Sequence, residues 1–158
     1  MIPLTVSIRS DVARELAYAA AARPDETQAA IVLGTVHGGC LELTAYADLC
    51  GIESALAFGR GLLDAWVPLC RRVSRMRPAM SVVGWVSIRR GASDALEPEE
   101  HIVHRTYFNL AHQVTLTLDP STGALRCFGA SRTGDLVAVP IAATPDFETH
   151  TPNNEARP

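Results

Sequence analysis

The run Glu97-Pro98-Glu99-Glu100-His101-Ile102-Val103-His104 holds the one close cluster of side chains with metal-ligand chemistry in this sequence. Glu97, His101 and His104 share a helix face, because residues three and four apart are neighbours, and Glu100 lies four before His104. Imidazoles and carboxylates so placed can hold a metal ion, with His112 joining from beyond the helix end. The same spacing also describes solvent-exposed pairs on an amphipathic helix, and spacing alone supplies no open coordination position. Just upstream, Arg89 and Arg90 occupy a loop with three roles open to them. They can be solvated, Arg89 can turn inward as a charge-assisted partner of Glu100, or the pair can bind an outside acidic group. Other chemistry is not visible. His37-Gly38-Gly39 is too short for a phosphate-cradling loop, and no serine stands in a nucleophile elbow.

The elements that must position these residues follow from periodicity. Residues 82–86 are apolar and β-branched, which predicts a buried strand, and Pro98 with the acids after it opens a helix running to about Ala111. Residues 4–8 predict a short first strand, Ser10-Asp11 an N-cap, and Val12, Leu16, Ala19 and Ala20 a helix ending before Pro24. Residues 29–36 and 40–47 read as two strands joined by a tight turn at His37-Gly38-Gly39. In the second, Leu41, Leu43 and Ala45 are expected on one face and Glu42, Thr44 and Tyr46 on the other. Residues 48–61 give no clear signal, with three glycines weakening any helix. Asp64 is expected to cap a helix to about Arg77, burying Val67, Cys70 and Val73 and leaving Arg71, Arg72 and Arg75 on its wetter side. Trp66 fits either the core or an interface. Strands are expected at 113–118, 124–130 and 136–142, with a turn at 119–123.

The Val82-Val83-Gly84-Trp85 strand, the loop after it and the helix from about Pro98 resemble the core of the JAMM/MPN domain family. There a strand of this type leads into a His-x-His-Pro motif, then a serine and an aspartate. On that pattern the two zinc-binding histidine positions fall on Ser87 and Arg89, the motif serine on Glu97 and the ligand aspartate on Glu100. The family's general-base glutamate falls on Thr27, with Glu26 one residue out of register and so turned to the other face. Serine is a poor zinc ligand and arginine is permanently cationic, so neither replaces a neutral imidazole. The resemblance, which spans about residues 4–143, therefore implies a non-catalytic domain of the MPN-minus type. It implies an α+β fold with a central mixed β-sheet flanked by helices, and no metal, cofactor or enzymatic activity. Within that type, Val82-Val83-Gly84-Trp85, Arg89-Arg90, Asp94, and Glu100 followed four residues on by His104 are most similar to the Abraxas scaffolds, which pair with a catalytic zinc-bearing MPN subunit in deubiquitinase complexes. The chain departs from them in lacking the long coiled coil that follows their domain.

Composition bounds the rest. At 158 residues the chain is one domain, expected over 1–143, with a polar, proline-rich disordered tail over 144–158. A net charge of −3 argues against a general nucleic-acid or anionic-membrane binder. No stretch of roughly eighteen apolar residues is present and no signal peptide opens the chain, which points to the cytoplasm. Cys40, Cys50, Cys70 and Cys127 show no Cys-x-x-Cys pair, leaving reduced, mostly buried thiols or a zinc site assembled across the fold. All fourteen basic residues are arginine, which GC-rich codon usage explains in the main, with avoidance of ubiquitin-like attachment as the alternative. Three functions are consistent with these features. The first is a non-catalytic, MPN-type interaction and assembly scaffold of a ubiquitin-like pathway, dimerising with itself or with a catalytic MPN subunit. Its interface candidates lie on the first helix and the 64–77 helix, including Trp66, Arg71 and Arg72. The second is a metal-dependent isopeptidase or peptidase with an altered site at Glu97, Glu100, His101 and His104. The third is a sensor of a small molecule or peptide that uses Arg89.

Overall fold

The computed structural model describes residues 5–52, 63–76, 78–92 and 95–144, apart from the side chains of 48–52, 63–69 and 144. The described chain is of mixed α and β content. Its elements are β1 (Thr5–Arg9), α1 (Ser10–Ala21), β2 (Thr27–His37), β3 (Cys40–Ile52), α2 (Leu63–Met76), β4 (Ser81–Ile88), α3 (Pro98–Tyr107), β5 (Val114–Leu118), β6 (Leu125–Ala130), β7 (Leu136–Val139) and β8 (Ile141–Thr144). One mixed sheet takes all eight strands in the order β7-β6-β5-β4-β2-β3-β1-β8. Residues 136–142, expected as one strand, are divided at Pro140 into β7, antiparallel to β6, and β8, parallel to β1. A single residue thus separates the two ends of the sheet order, so the sheet must curl until its edges nearly meet. Proline suits that switch because it has no N–H to give to either ladder.

Two apolar clusters sit on opposite sides of the strands. Val12, Leu16 and Ala20 of α1 join Ala30, Val32, Leu41, Leu43, Val86, Ile88 and Leu116 in one. Val73 of α2 and Val103 of α3 join Ala29, Ile31, Leu33, Ala45 and Trp85 in the other. The β2–β3 hairpin turns at Gly38 and Gly39, both at positive φ (55° and 84°), as a tight two-residue turn requires. Leu41, Leu43 and Ala45 are all buried, but not on one face. The β2–β3 register jumps between Leu33–Ala45 and Gly34–Leu43, so Thr44 is an extra residue and Ala45 is turned into the second cluster. A similar shift lets Val83 bulge in β4. The adjoining Gly84 has no alternative, since a Cβ there would run into the Val114 carbonyl oxygen of β5.

Other boundaries differ from expectation. Arg9, not Ser10 or Asp11, is the N-cap of α1, and Asp11 inside the first turn accepts from the Val12 N–H and pairs with Arg9. β3 continues to Ile52, and α3 stops at Tyr107, where buried Phe108 leaves the helix and stacks 6.3 Å from the Trp85 ring. Asp64 lies inside α2, whose backbone starts at Leu63. β8 reaches Thr144, and the rest of the expected tail lies outside the described residues. Among the described residues no helix is long and apolar enough to cross a membrane.

Candidate functional site

The second face of the sheet carries the site. Ala29 of β2 pairs with Ser87 of β4, and Ser87 with Thr117 of β5, so these side chains share one face. Trp85 and Thr115, paired two residues earlier, lie on the same side. α3 crosses above them, and its start is built by a reciprocal cap. The Glu97 side chain accepts from the third-position backbone while Glu100 Oε1 accepts from the Glu97 N–H at 2.8 Å, with Pro98 at the helix start. That cap aims Glu100 down at β4, where it is fully buried.

Four donors saturate the Glu100 carboxylate. The Ser87 hydroxyl donates to Oε2 at 2.6 Å, Arg89 Nε to Oε2 at 2.7 Å, Arg89 Nη2 to Oε1 at 3.0 Å, and the Glu97 N–H to Oε1. The Arg89 guanidinium is thus a bidentate fork on a buried carboxylate, itself only 11% exposed. Glu97, at 44% exposure, adds an ion pair to Arg89 Nε at 3.1 Å. The guanidinium's pKa is raised, first by its hydrogen bond to Glu100 and then by that carboxylate's charge, against the opposing effect of burial. Of the roles open to Arg89, the structure takes the inward pair. Arg90 turns outward to Asp25 at 2.6 Å, an exposed pair.

One helical turn on, His104 is 3% exposed, and its Nδ1 meets Thr115 Oγ1 at 2.8 Å. The Trp85 Nε1–H donates to that same oxygen at 2.9 Å. Thr115 Oγ1 has two lone pairs and one proton, so it serves the indole N–H and the His104 ring together, with the direction of the second bond set by the imidazole's tautomer. Burial, then the nearby His101 and Arg105, push its pKa down to about 4. His101 Nδ1 and Thr117 Oγ1 are buried without a hydrogen-bond partner among the described residues.

The residues singled out from the sequence therefore divide. Ser87, Arg89, Glu97 and Glu100 come together in one network. His104 faces Thr115 instead, and His112 makes no described hydrogen bond or ion pair. Thr27 begins β2 two residues from Ala29 and so on its side, half-buried, while Glu26 is exposed and reaches back to Arg23 at 3.5 Å. Arg71, Arg72 and Arg75 are exposed on α2; the Trp66 side chain and Asp94 lie outside the described residues. Among the described residues no three His, Cys, Asp or Glu side chains are grouped to hold a metal. Cys40, Cys70 and Cys127 are free thiols, and burial pushes the last two up to about 11 and about 12. Thr115 and Thr117 were not among the expected site residues. Their alternation with Val114, Leu116 and Leu118 is the signal for a strand whose polar face meets something other than water. No protein-family model matches the chain, and no match to a curated protein was found.

Proposed function

We propose that the chain is a non-catalytic, MPN-type interaction domain, α+β with its mixed sheet flanked by helices, working in the cytoplasm as an assembly scaffold. One observation carries this reading: the bidentate Arg89–Glu100 pair, with Ser87 on the same carboxylate. The family resemblance puts zinc ligands at those three positions. A divalent cation there would lack two ligands and would face a fixed guanidinium, while the one carboxylate already has four donors. The residues present do not fit the metal. Arginine suits the replacement because it stays charged and offers a planar fork. α1 and α2, which pack in opposite clusters, are the surfaces for pairing with a second copy or a catalytic MPN subunit.

The test is elemental analysis of the purified chain, an assay on ubiquitin-like conjugates, and light scattering alone and with a catalytic MPN subunit. The expected outcome is no stoichiometric zinc, no cleavage, and a dimer or heterodimer burying more than about 1,000 Å² in total. Zinc bound one per chain and lost on replacing His101 or His104 by alanine overturns the reading in favour of a metal-dependent peptidase. A monomer indifferent to the catalytic subunit removes the scaffold role.

A further inference from the structure

α3 is seated on the sheet through hydroxyls. Ser87 of β4 meets Glu100 at 2.6 Å, and Thr115 of β5 meets His104 at 2.8 Å. These two contacts fix the path of the helix. Between Glu100 and His104 it passes from β4 to β5, and from the Ser87–Thr117 level of the sheet to the Trp85–Thr115 level. His101 lies on α3 between the two anchors. Thr117 lies on the floor beside both, paired with Ser87 and two residues beyond Thr115 on the same face.

Thr117 is the third hydroxyl of this floor, and it is fully buried. Among the described residues its Oγ1 has no hydrogen-bond partner, and neither has the buried Nδ1 of His101. The two are therefore not bonded to each other, although both belong to the same corner of the α3–sheet contact. Buried hydroxyls and ring nitrogens are rarely left so, because each gives up its hydration and receives nothing back. A third group is available there. Ser87 Oγ gives its one proton to Glu100 Oε2 and keeps lone pairs that can accept. What fits between them is small, neutral and able both to donate and to accept. A metal ion lacks ligands, since no three His, Cys, Asp or Glu side chains are grouped among the described residues. An anion would lie beside Glu100, whose carboxylate shares Ser87, and is opposed by that charge.

We propose that Thr117 Oγ1, His101 Nδ1 and Ser87 Oγ hold one internal water molecule between α3 and the floor of β4 and β5. A buried water typically makes about three hydrogen bonds to groups otherwise unsatisfied, and these three atoms supply that number. The donors and acceptors balance, with one water proton given to Ser87 Oγ. With His101 Nδ1 bare, the water gives its second proton there and accepts from Thr117; with Nδ1 protonated, both of those bonds reverse. The Arg89–Glu100 network, which otherwise ends at Ser87, is thereby extended beneath α3 to His101. His101, a metal-ligand candidate by its spacing, takes a structural part instead. The site rests on the two orphaned atoms and the seating of α3, and holds whether or not the chain pairs with a partner.

The experiment is a crystal structure of the full chain at a resolution that shows ordered water, together with thermal unfolding of Thr117→Val and Thr117→Ser. Density for one water is expected within about 2.7–3.2 Å of Thr117 Oγ1, His101 Nδ1 and Ser87 Oγ. Valine keeps the shape of threonine without its hydroxyl, so Thr117→Val should fold and lose that density. Its thermal midpoint should fall by about 2–4 °C, because His101 Nδ1 is then left bare. Thr117→Ser keeps the hydroxyl and should keep the water. Where a hydroxyl is truly orphaned, removing it stabilises, so an unchanged or raised midpoint for Thr117→Val overturns the site. A crystal structure with no density there, or with either atom bonded directly to another protein group, overturns it as well. A peak with contacts of about 2.1 Å marks a metal ion, and overturns the water in favour of the altered metal site.

Discussion

At the scale of the residue, the question is whether Arg89 is structural. Glu100 is fully buried, and an ionised carboxylate in such a place must be paired or pay a large desolvation cost. Removing one partner of a buried pair strands the other, so Arg89→Ala should destabilise by roughly 3–5 kcal/mol. Arg89→Ala combined with Glu100→Ala should recover part of that loss, because no lone charge is left behind. Urea midpoints of both single variants and the double variant decide it; small additive losses would make Arg89 a solvated loop arginine. His104 gives a pH prediction with a definite sign. Its pKa falls from 6.5 to about 4 in the fold, so between those values the unfolded chain binds more protons. Stability is then complete above about 6.5 and is lost as pH falls through about 4, by on the order of 3 kcal/mol. His104→Gln should flatten the dependence of the urea midpoint across that window, and an unchanged slope would place the titration elsewhere. Ser87, Arg89, Glu97 and Glu100 could be found in the sequence because the motif spacing fixes them on one strand, one loop and one helix start. Thr115 could not, because its role depends on the β4–β5 register, which no local pattern encodes.

At the scale of the element, the legible features are those set by local chemistry. The apolar run of β4, the glycine pair between β2 and β3, and the proline and acids opening α3 all stand where the sequence places them. Features set by a neighbour are not legible. α3 ends before its periodicity does, because Phe108 is drawn down to stack on Trp85. Ala45 leaves the face of Leu43 because one extra residue, Thr44, has to be absorbed opposite Leu33 and Gly34. Gly34 and Gly84 sit beside these shifts, and a Cβ on either would strike a carbonyl oxygen of the adjacent strand, Glu42 and Val114 respectively. The bulges and the glycines are one device. The strand bends, its neighbour's backbone comes close, and only a residue without a side chain fits between. The same bend turns Trp85 and Ser87 together toward α3, and so places the floor of the Glu100 network.

At the scale of the whole molecule, the sheet's connectivity predicts an uneven stability. Following the pairings from β6 through β1, β7 and β8 run in the same direction, so Leu136–Thr144 behaves as one strand kinked at Pro140. Its first half completes one edge of the sheet and its second half the other. Periodicity shows such a segment as a single strand, since the change of neighbour at Pro140 leaves no trace in the apolar pattern. The consequence lies in hydrogen exchange. β2, β4 and β5 are each paired on both sides and are buried almost throughout. β7 and β8 have four residues each and one described neighbour apiece, and Val137, Ala138, Ala142 and Ala143 are exposed. Few buried contacts and exposed ladders mark a segment that opens below the global unfolding free energy. Amides of β7 and β8 should therefore exchange first, while those of Ile31, Val86 and Leu116 exchange only on global unfolding. If β7 and β8 amides prove as protected as those of β4, the kinked strand closes the sheet cooperatively and the molecule opens as one unit.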